Sequence, residues 1–306
     1  NTDGKTGEKT EEKTAVIEIA KAAGLTLLSE EERNPLYTTT YGVGEVIKDA
    51  VRNGCRKFIV GIGGSATNDG GAGMLQALGF GLLKENGEQI PIGARGLEEL
   101  AEITDDNVIP ELAECKFKIA CDVTNVLCGE TGASAVYGPQ KGADEEMTER
   151  LDRLLFSYAS LVKKKIPKAD SMYPGTGAAG GLGFAFLTFM DAQLESGIQI
   201  VIKETGLEQE IAKADLVITG EGRMDGQTAM GKAPIGIAKI AKKYGKPVIA
   251  FAGAAARDAG ACNEQGIDAF FPILREAVSL EAAMKRENAE ANMEAAVEQA
   301  YRLWRL

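Results

Sequence analysis

Residues 61–73 read Gly-Ile-Gly-Gly-Ser-Ala-Thr-Asn-Asp-Gly-Gly-Ala-Gly. This run constrains the fold more than any other feature of the chain. It follows a short apolar, β-type run from Phe58 to Ile62 and leads into a helix-like run from Met74 to Leu82. Glycine lets a backbone turn sharply and lets a ligand approach it closely. Free N–H groups at a helix start attract anions. A tight strand-to-helix turn explains one or two glycines. It does not explain six of them with Ser65, Thr67, Asn68 and Asp69 interleaved. A loop that accepts phosphate and also carries a carboxylate points to phosphoryl transfer.

Composition narrows the chemistry. At 306 residues the chain is long for one core, so two domains are expected. A net charge of −11 argues against sequence-independent nucleic-acid binding, which needs a basic face. No apolar run is long enough for a membrane span; the nearest, Gly177 to Met190, is short and glycine-rich. There is no signal-peptide pattern. Five cysteines (Cys55, Cys115, Cys121, Cys128, Cys262) contain no CxxC pair and read as free thiols in a reducing, cytoplasmic setting. The chain has no histidine, which removes Ser-His-Asp and Cys-His mechanisms. Proton transfer then falls to Asp, Glu, Lys, Tyr or water, and acidic side chains with Mg²⁺ are the natural substitute.

Residues 1–13 read as a polar lead-in. Strands are expected at Thr14 to Ala20, Lys57 to Ile62, Phe117 to Asp122, Leu216 to Thr219, Pro247 to Ala252 and Ala269 to Pro272. Helices are expected at Glu45 to Asn53, Asp144 to Lys164, Pro234 to Tyr244 and Leu280 to Leu306, the last with an interruption. Such alternation implies an α/β fold with parallel strands and right-handed crossovers. Ligands in these folds sit beyond the carboxyl ends of the strands. Residues 63–69, Asp122 and residues 220–225 all follow strands.

Several further constellations could carry chemistry. Gly61 to Ala66 formally matches the dinucleotide fingerprint G-x-G-x-x-[GA], but no acidic strand end follows at the required spacing. Gly226 to Ala233 is a near miss to the P-loop, with Ala233 where a hydroxyl should hold Mg²⁺. Lys232 at a helix start is a poor dipole partner, so an anion is expected beside it. Glu221 and Asp225 in the loop after a strand could take a metal or a hydroxyl, and Arg223 a carboxylate or phosphate. Residues 121–125 and 138–142 are compatible with plain turn chemistry or with ligand contact. Residues 175–183 form a further glycine-rich helix entrance, much of it explicable by close helix packing.

Taken together, these motifs resemble the type-1 glycerate kinase family. The matching stretches are GIGGSATNDGGAG at 61–73, CDVTN at 121–125 with Leu127-Cys128-Gly129, GPQKGA at 138–143, GTGAAGGLG at 175–183 and TGEGRMDGQTAMGKAP at 219–234. Asn34-Pro35-Leu36 and Thr38-Thr39-Thr40-Tyr41-Gly42 also fit. The resemblance implies ATP-dependent phosphorylation of D-glycerate, with 2-phosphoglycerate favoured over the 3-phosphate. It implies a Rossmann-like parallel-sheet domain and a second, inserted α/β domain, with the site in the cleft between them. Residues 1–200 are expected to form the inserted domain and 201–306 part of the Rossmann-like one. The family's N-terminal P-D-S-F-K and A-D-G-G-E-G motifs have no counterpart here, so the N-terminal part of that domain is expected to be absent. Val126 stands where the family usually has proline, and Ala254 to Asp258 replaces a stretch richer in glycine and serine.

The implied site roles go beyond the motif match. Asp69 is the first choice for general base or Mg²⁺ ligand, with Asp122 or Asp225 as a second metal contact. Lys232 and Lys141 neutralise phosphates, and Arg223 grips the glycerate carboxylate. Gly63, Gly64 and Ser65 offer backbone N–H groups, and Thr67, Asn68 and Glu221 complete the substrate and nucleotide contacts. The expected small molecules are D-glycerate, ATP and Mg²⁺; nucleic acid and membrane are not expected, and a homodimer is one of the states the sequence allows. Two other readings stay open: a nicotinamide-dependent dehydrogenase, and a catalytically silent module that binds a small acid.

Overall fold

The structure, a computed structural model, describes residues 13–306. The lead-in expected over residues 1–13 lies outside the described residues up to residue 12. The chain divides into two compact units, Asn1–Ser196 and Gly197–Leu306.

The first unit runs β1 (Thr14–Glu18), α1 (Ala20–Ala23), α2 (Tyr41–Arg52), β2 (Lys57–Gly61), α3 (Ala72–Ala77), β3 (Gly81–Leu83), β4 (Glu102–Thr104), β5 (Lys116–Ala120), α4 (Ala133–Tyr137), α5 (Glu145–Lys165), α6 (Ala178–Phe189) and β6 (Asp191–Glu195). Four parallel strands form a sheet in the order β1-β2-β5-β6. The two central strands alternate in burial because one side of each must meet the core. Phe58 pairs with Phe117 in register, and their rings stack with centroids 4.6 Å apart. Phe186 of α6 packs on Phe117 at 5.7 Å. The helix α5 has the signals its sequence promised. Asp144 caps it by accepting from the Met147 N–H at 2.8 Å, and Lys163, Lys164 and Lys165 sit in the last turn.

The helix expected from Met74 to Leu82 is shorter than its apolar run. It ends at Ala77, and Gly79 then takes φ +102°. A Cβ at Gly79 would lie 2.1 Å from the Asn107 carbonyl oxygen, so the chain turns there in a way only glycine permits. Residues beyond it form β3, which pairs antiparallel with β4.

The second unit runs α7 (Gly197–Thr205), α8 (Leu207–Lys213), β7 (Val217–Met224), α9 (Gly226–Ala229), α10 (Ala233–Lys243), β8 (Val248–Ala255), α11 (Ala261–Glu264), β9 (Ala269–Pro272), α12 (Leu280–Met284) and α13 (Arg286–Trp304). Its three strands are parallel in the order β7-β8-β9. The middle strand β8 is covered on both faces: Val248, Ala250 and Ala252 pack with α10, and Phe251 packs with Ile273 and Ala300. That explains its unbroken apolar sequence. The C-terminal helix is interrupted as expected, at Lys285, whose ψ of 130° breaks the helical path. Among the described residues no helix is long and apolar enough to cross a membrane. All five cysteines are free.

Candidate active site

In the first unit β2 ends at Gly61 and β5 at Ala120, and a cavity of about 270 Å³ opens just past both carboxyl ends. This is where a parallel sheet presents ligands. Gly63, Gly64 and Ser65 form one wall, Asp122 with Cys121 and Val123 another, and Tyr137, Gln140 and Lys141 a third. Ala178 and Ala179 close it. The structure therefore brings together Gly63, Gly64, Ser65, Asp122 and Lys141 from three separate motifs. Tyr137, Gln140 and Ala179 were not anticipated. Gln140 and Ala179 lie inside motifs already identified, whereas Tyr137 falls just before one.

The thirteen-residue glycine run divides into two functions. Gly63 and Gly64 are exposed at the cavity, and a Cβ on Gly63 would meet nothing within 4 Å. Gly70 and Gly71 are instead packing glycines at positive φ. The Gly70 N–H donates to the Gly180 carbonyl at 2.9 Å. A Cβ at Gly180 would lie 2.0 Å from the Thr67 carbonyl oxygen, and one at Gly71 would lie 2.4 Å from the Ala185 methyl. Much of the third glycine cluster therefore serves backbone-to-backbone contact, as its packing explanation expected.

Asp69 does not line the cavity where its expected role would place it. Asp69 is fully buried, and its two oxygens accept from five donor groups. These are the Thr39 hydroxyl, the Thr40 N–H and hydroxyl, and the N–H groups of Gly71 and Gly73. Every partner is a donor, which matches an acceptor-only carboxylate. Burial pushes its carboxyl above the ordinary range, and the Thr40 and glycine donors pull it back. A carboxylate held in this way fastens two loops together. Asn68 and Thr67 are buried behind the same loop. Asn68 donates to the Ser134 hydroxyl at 2.9 Å. Thr67 lines a different cavity of about 320 Å³ with Thr38 and Thr39.

Lys141 is a buried cation at the cavity, 2% exposed. It donates to the Thr67 carbonyl at 2.7 Å. Burial pushes its ammonium down to about 8, against an upward pull from the Asp69 charge. An anion in the cavity would reverse that loss of solvation. The Tyr137 hydroxyl donates to Asn125 Oδ1 at 2.6 Å, and the Asn125 carbonyl accepts from the N–H groups of Gly175 and Gly177. One asparagine thus ties the cavity's tyrosine to the third glycine cluster.

In the second unit the expected loop over residues 220–231 proves to be largely regular. The strand β7 continues through Glu221 and Arg223, and Arg223 is in register with Ala254. Asp225 caps α9, accepting from the Thr228 N–H at 3.1 Å while its own N–H donates to the Thr228 hydroxyl at 3.1 Å. That Thr228 N–H holds the Asp225 carboxyl below its ordinary value, with Lys232 adding to the effect. The Thr228 hydroxyl also donates to Glu221. Lys232 pairs with Asp225 at 3.9 Å, so one anion beside Lys232 is supplied by the protein itself. Arg223 is exposed and makes no ion pair among the described residues.

The dinucleotide fingerprint does not find its structural context. Its glycines lead into non-helical chain, and α3 begins only at Ala72, inside the core. The donor set fits Mg²⁺ carried by a nucleotide better than a resident ion. Among the described residues no three His, Cys, Asp or Glu side chains could hold a metal. Of the three candidate ligands, Asp69, Asp122 and Asp225, only Asp122 lines the cavity. Mg²⁺ commonly binds through one or two carboxylates together with phosphates and water.

Comparison with known proteins gives a consistent picture. Residues 1–305 match the glycerate kinase family. A glycerate kinase from Halalkalibacterium halodurans is 50% identical over 274 residues, covering 90% of this chain and 72% of its own length. A glycerate 2-kinase from Escherichia coli K12 is 49% identical over 273 residues, covering 89% of this chain and 72% of its own. A crystal structure of a glycerate-kinase-like protein from Salmonella typhimurium LT2 superposes with a TM-score of 0.82 at 48% identity. The match covers 94% of this chain and 75% of that one.

Proposed function

Since this chain belongs to the glycerate kinase family, we propose that it transfers the γ-phosphoryl group of ATP to the C2 hydroxyl of D-glycerate. The observation that carries this reading is the cavity past β2 and β5, where a glycine loop, a carboxylate and a buried ammonium converge. The 49% identity to a protein named glycerate 2-kinase supports the 2-phosphate as product.

Phosphoryl transfer depends mainly on positioning and on neutralising charge. Lys141 and the backbone around Gly63, Gly64 and Ser65 hold the anionic groups in the cavity. Asp122 replaces Asp69 as the carboxylate that accepts the proton of the glycerate hydroxyl. As that oxygen bonds to the γ-phosphorus, the bond from phosphorus to the β–γ bridging oxygen breaks and ADP leaves. Mg²⁺ bound to the nucleotide would neutralise phosphate charge, with Asp122 as the cavity residue suited to hold it. In the second unit Arg223 supplies a bidentate donor for a carboxylate or phosphate. Lys232 and Asp225 act there as a pair, and Glu221 orients Thr228.

Phosphorus NMR of a reaction with D-glycerate, ATP and Mg²⁺ tests the reading. The 2-phosphate couples to one methine proton and gives a doublet, whereas the 3-phosphate couples to a methylene and gives a triplet. A doublet with equimolar ADP is expected. A triplet overturns the position. Calorimetric binding of glycerate without ADP release identifies a silent binding module instead.

A further inference from the structure

Among the described residues Ala179 alone takes a positive φ without being glycine. It begins a left-handed run: Ala179 at φ 52° and ψ 39°, Gly180 at 67° and 33°, Gly181 at 94° and 3°. The two glycines are sterically required. A Cβ at Gly180 would strike the Thr67 carbonyl at 2.0 Å, and one at Gly181 would lie 2.7 Å from the Gly70 Cα. At 179 the backbone asks for glycine, yet a methyl group is present. Backbone strain of this kind persists where the surroundings over-determine it, and it clusters at ligand sites. Ala179 is half-buried and lines the cavity that also contains Gly63, Gly64, Asp122 and Lys141. Among the side chains that line this cavity, that of Ala179 is the one whose position is set by a left-handed backbone.

We propose that the Ala179 methyl is the size gate of the acceptor pocket, excluding hydroxy acids that carry carbon in place of hydrogen at C2. This rests on the assignment of the cavity to glycerate. A gate made of one methyl on a strained backbone cannot rotate away, because the methyl has no rotamer to change and its position is fixed by φ and ψ alone.

The test measures kcat/KM for D-glycerate and for 2-methylglycerate in the wild type, Ala179→Gly and Ala179→Asn, together with Tm. Ala179→Gly is expected to raise the ratio of 2-methylglycerate to glycerate by at least about tenfold, the scale of one methyl in a pocket. Its Tm should stay level or rise, since glycine accepts the left-handed backbone. Asparagine also tolerates that backbone, so Ala179→Asn should keep its Tm and lose glycerate turnover by at least about tenfold, as a filled pocket would. A lowered Tm in Ala179→Gly with an unchanged substrate ratio makes the methyl a packing group and overturns the gate. No phosphoester from glycerate in the wild type overturns the assignment of the cavity and the gate with it, whereas wild-type turnover with an unchanged ratio overturns the gate alone.

Discussion

Thr40 grips both oxygens of Asp69: its N–H donates to Oδ2 at 2.8 Å, and its hydroxyl lies 3.1 Å from Oδ1 and 3.0 Å from Oδ2. The same hydroxyl accepts from the Met74 N–H at 2.9 Å. One threonine thereby joins the start of α2, the glycine loop and α3 through a single buried carboxylate. Asp69→Asn places an amide NH₂ against backbone donors, and loss of a charge-assisted bond costs about 1.5–3 kcal/mol. Thermal denaturation should show Tm lowered by several degrees, with turnover falling in parallel. An unchanged Tm with lost turnover would return Asp69 to a chemical role.

Asp122 is exposed at the cavity, so its loss should fall on chemistry more than on folding. Asp122→Asn is expected to reduce kcat by about 10²–10⁴, the range for losing a general base, with a far smaller effect on Tm. Steady-state kinetics beside a melting curve decides between this and a merely local loop role.

Lys141 predicts a pH dependence. Its folded value of about 8 lies below the ordinary 10.5, so between these limits the unfolded chain holds a proton that the folded chain has lost. Its contribution to stability therefore rises with pH across that window. Substrate affinity should move the other way. An anion prefers the charged ammonium, so KM for glycerate is expected to climb above pH 8 by up to about tenfold per pH unit. Lys141→Met should raise KM at pH 7 and flatten that slope.

The second unit offers a contrast between two members of one ion pair. Asp225 caps α9, and Asp225→Ala should cost about 1 kcal/mol of stability, as lost N-caps do. Lys232 sits at the surface end of the pair. Lys232→Ala should leave stability within about 0.5 kcal/mol while raising KM for ATP. Equal KM values for ATP in the wild type and Lys232→Ala would confine Lys232 to its pairing with Asp225.

The sequence carried the elements whose signals are local. The alternation in Lys57 to Gly61 and the capped, periodic run from Asp144 onward appear at the expected places. The edge strand β6 was not legible, because Asp-Ala-Gln-Leu-Glu has no buried stripe and owes its strand form to pairing with β5. The convergence of Gly63, Asp122 and Lys141 followed from their placement after strands or in neighbouring loops. The surroundings of Asp69 are not legible in its own loop: its five donors come from Thr39, Thr40, Gly71 and Gly73, and nothing in residues 61–73 alone shows that Thr39 and Thr40 will cover it. The full length of β7 is not legible because Gly220 and Gly222 look like loop residues, although pairing of Gly220, Glu221 and Arg223 with β8 holds this stretch extended.

The bond from Gly70 to Gly180 joins two stretches far apart along the chain. During synthesis the first glycine loop leaves the ribosome well before its partner, a delay of seconds at roughly 5–20 residues per second. Until then the buried donors and acceptors around residue 70 face water, and the wall that Ala178 and Ala179 give the cavity is missing. The cavity is thus a late product of folding, and a nascent chain arrested before residue 180 would carry the loop's sequence without the cavity it lines.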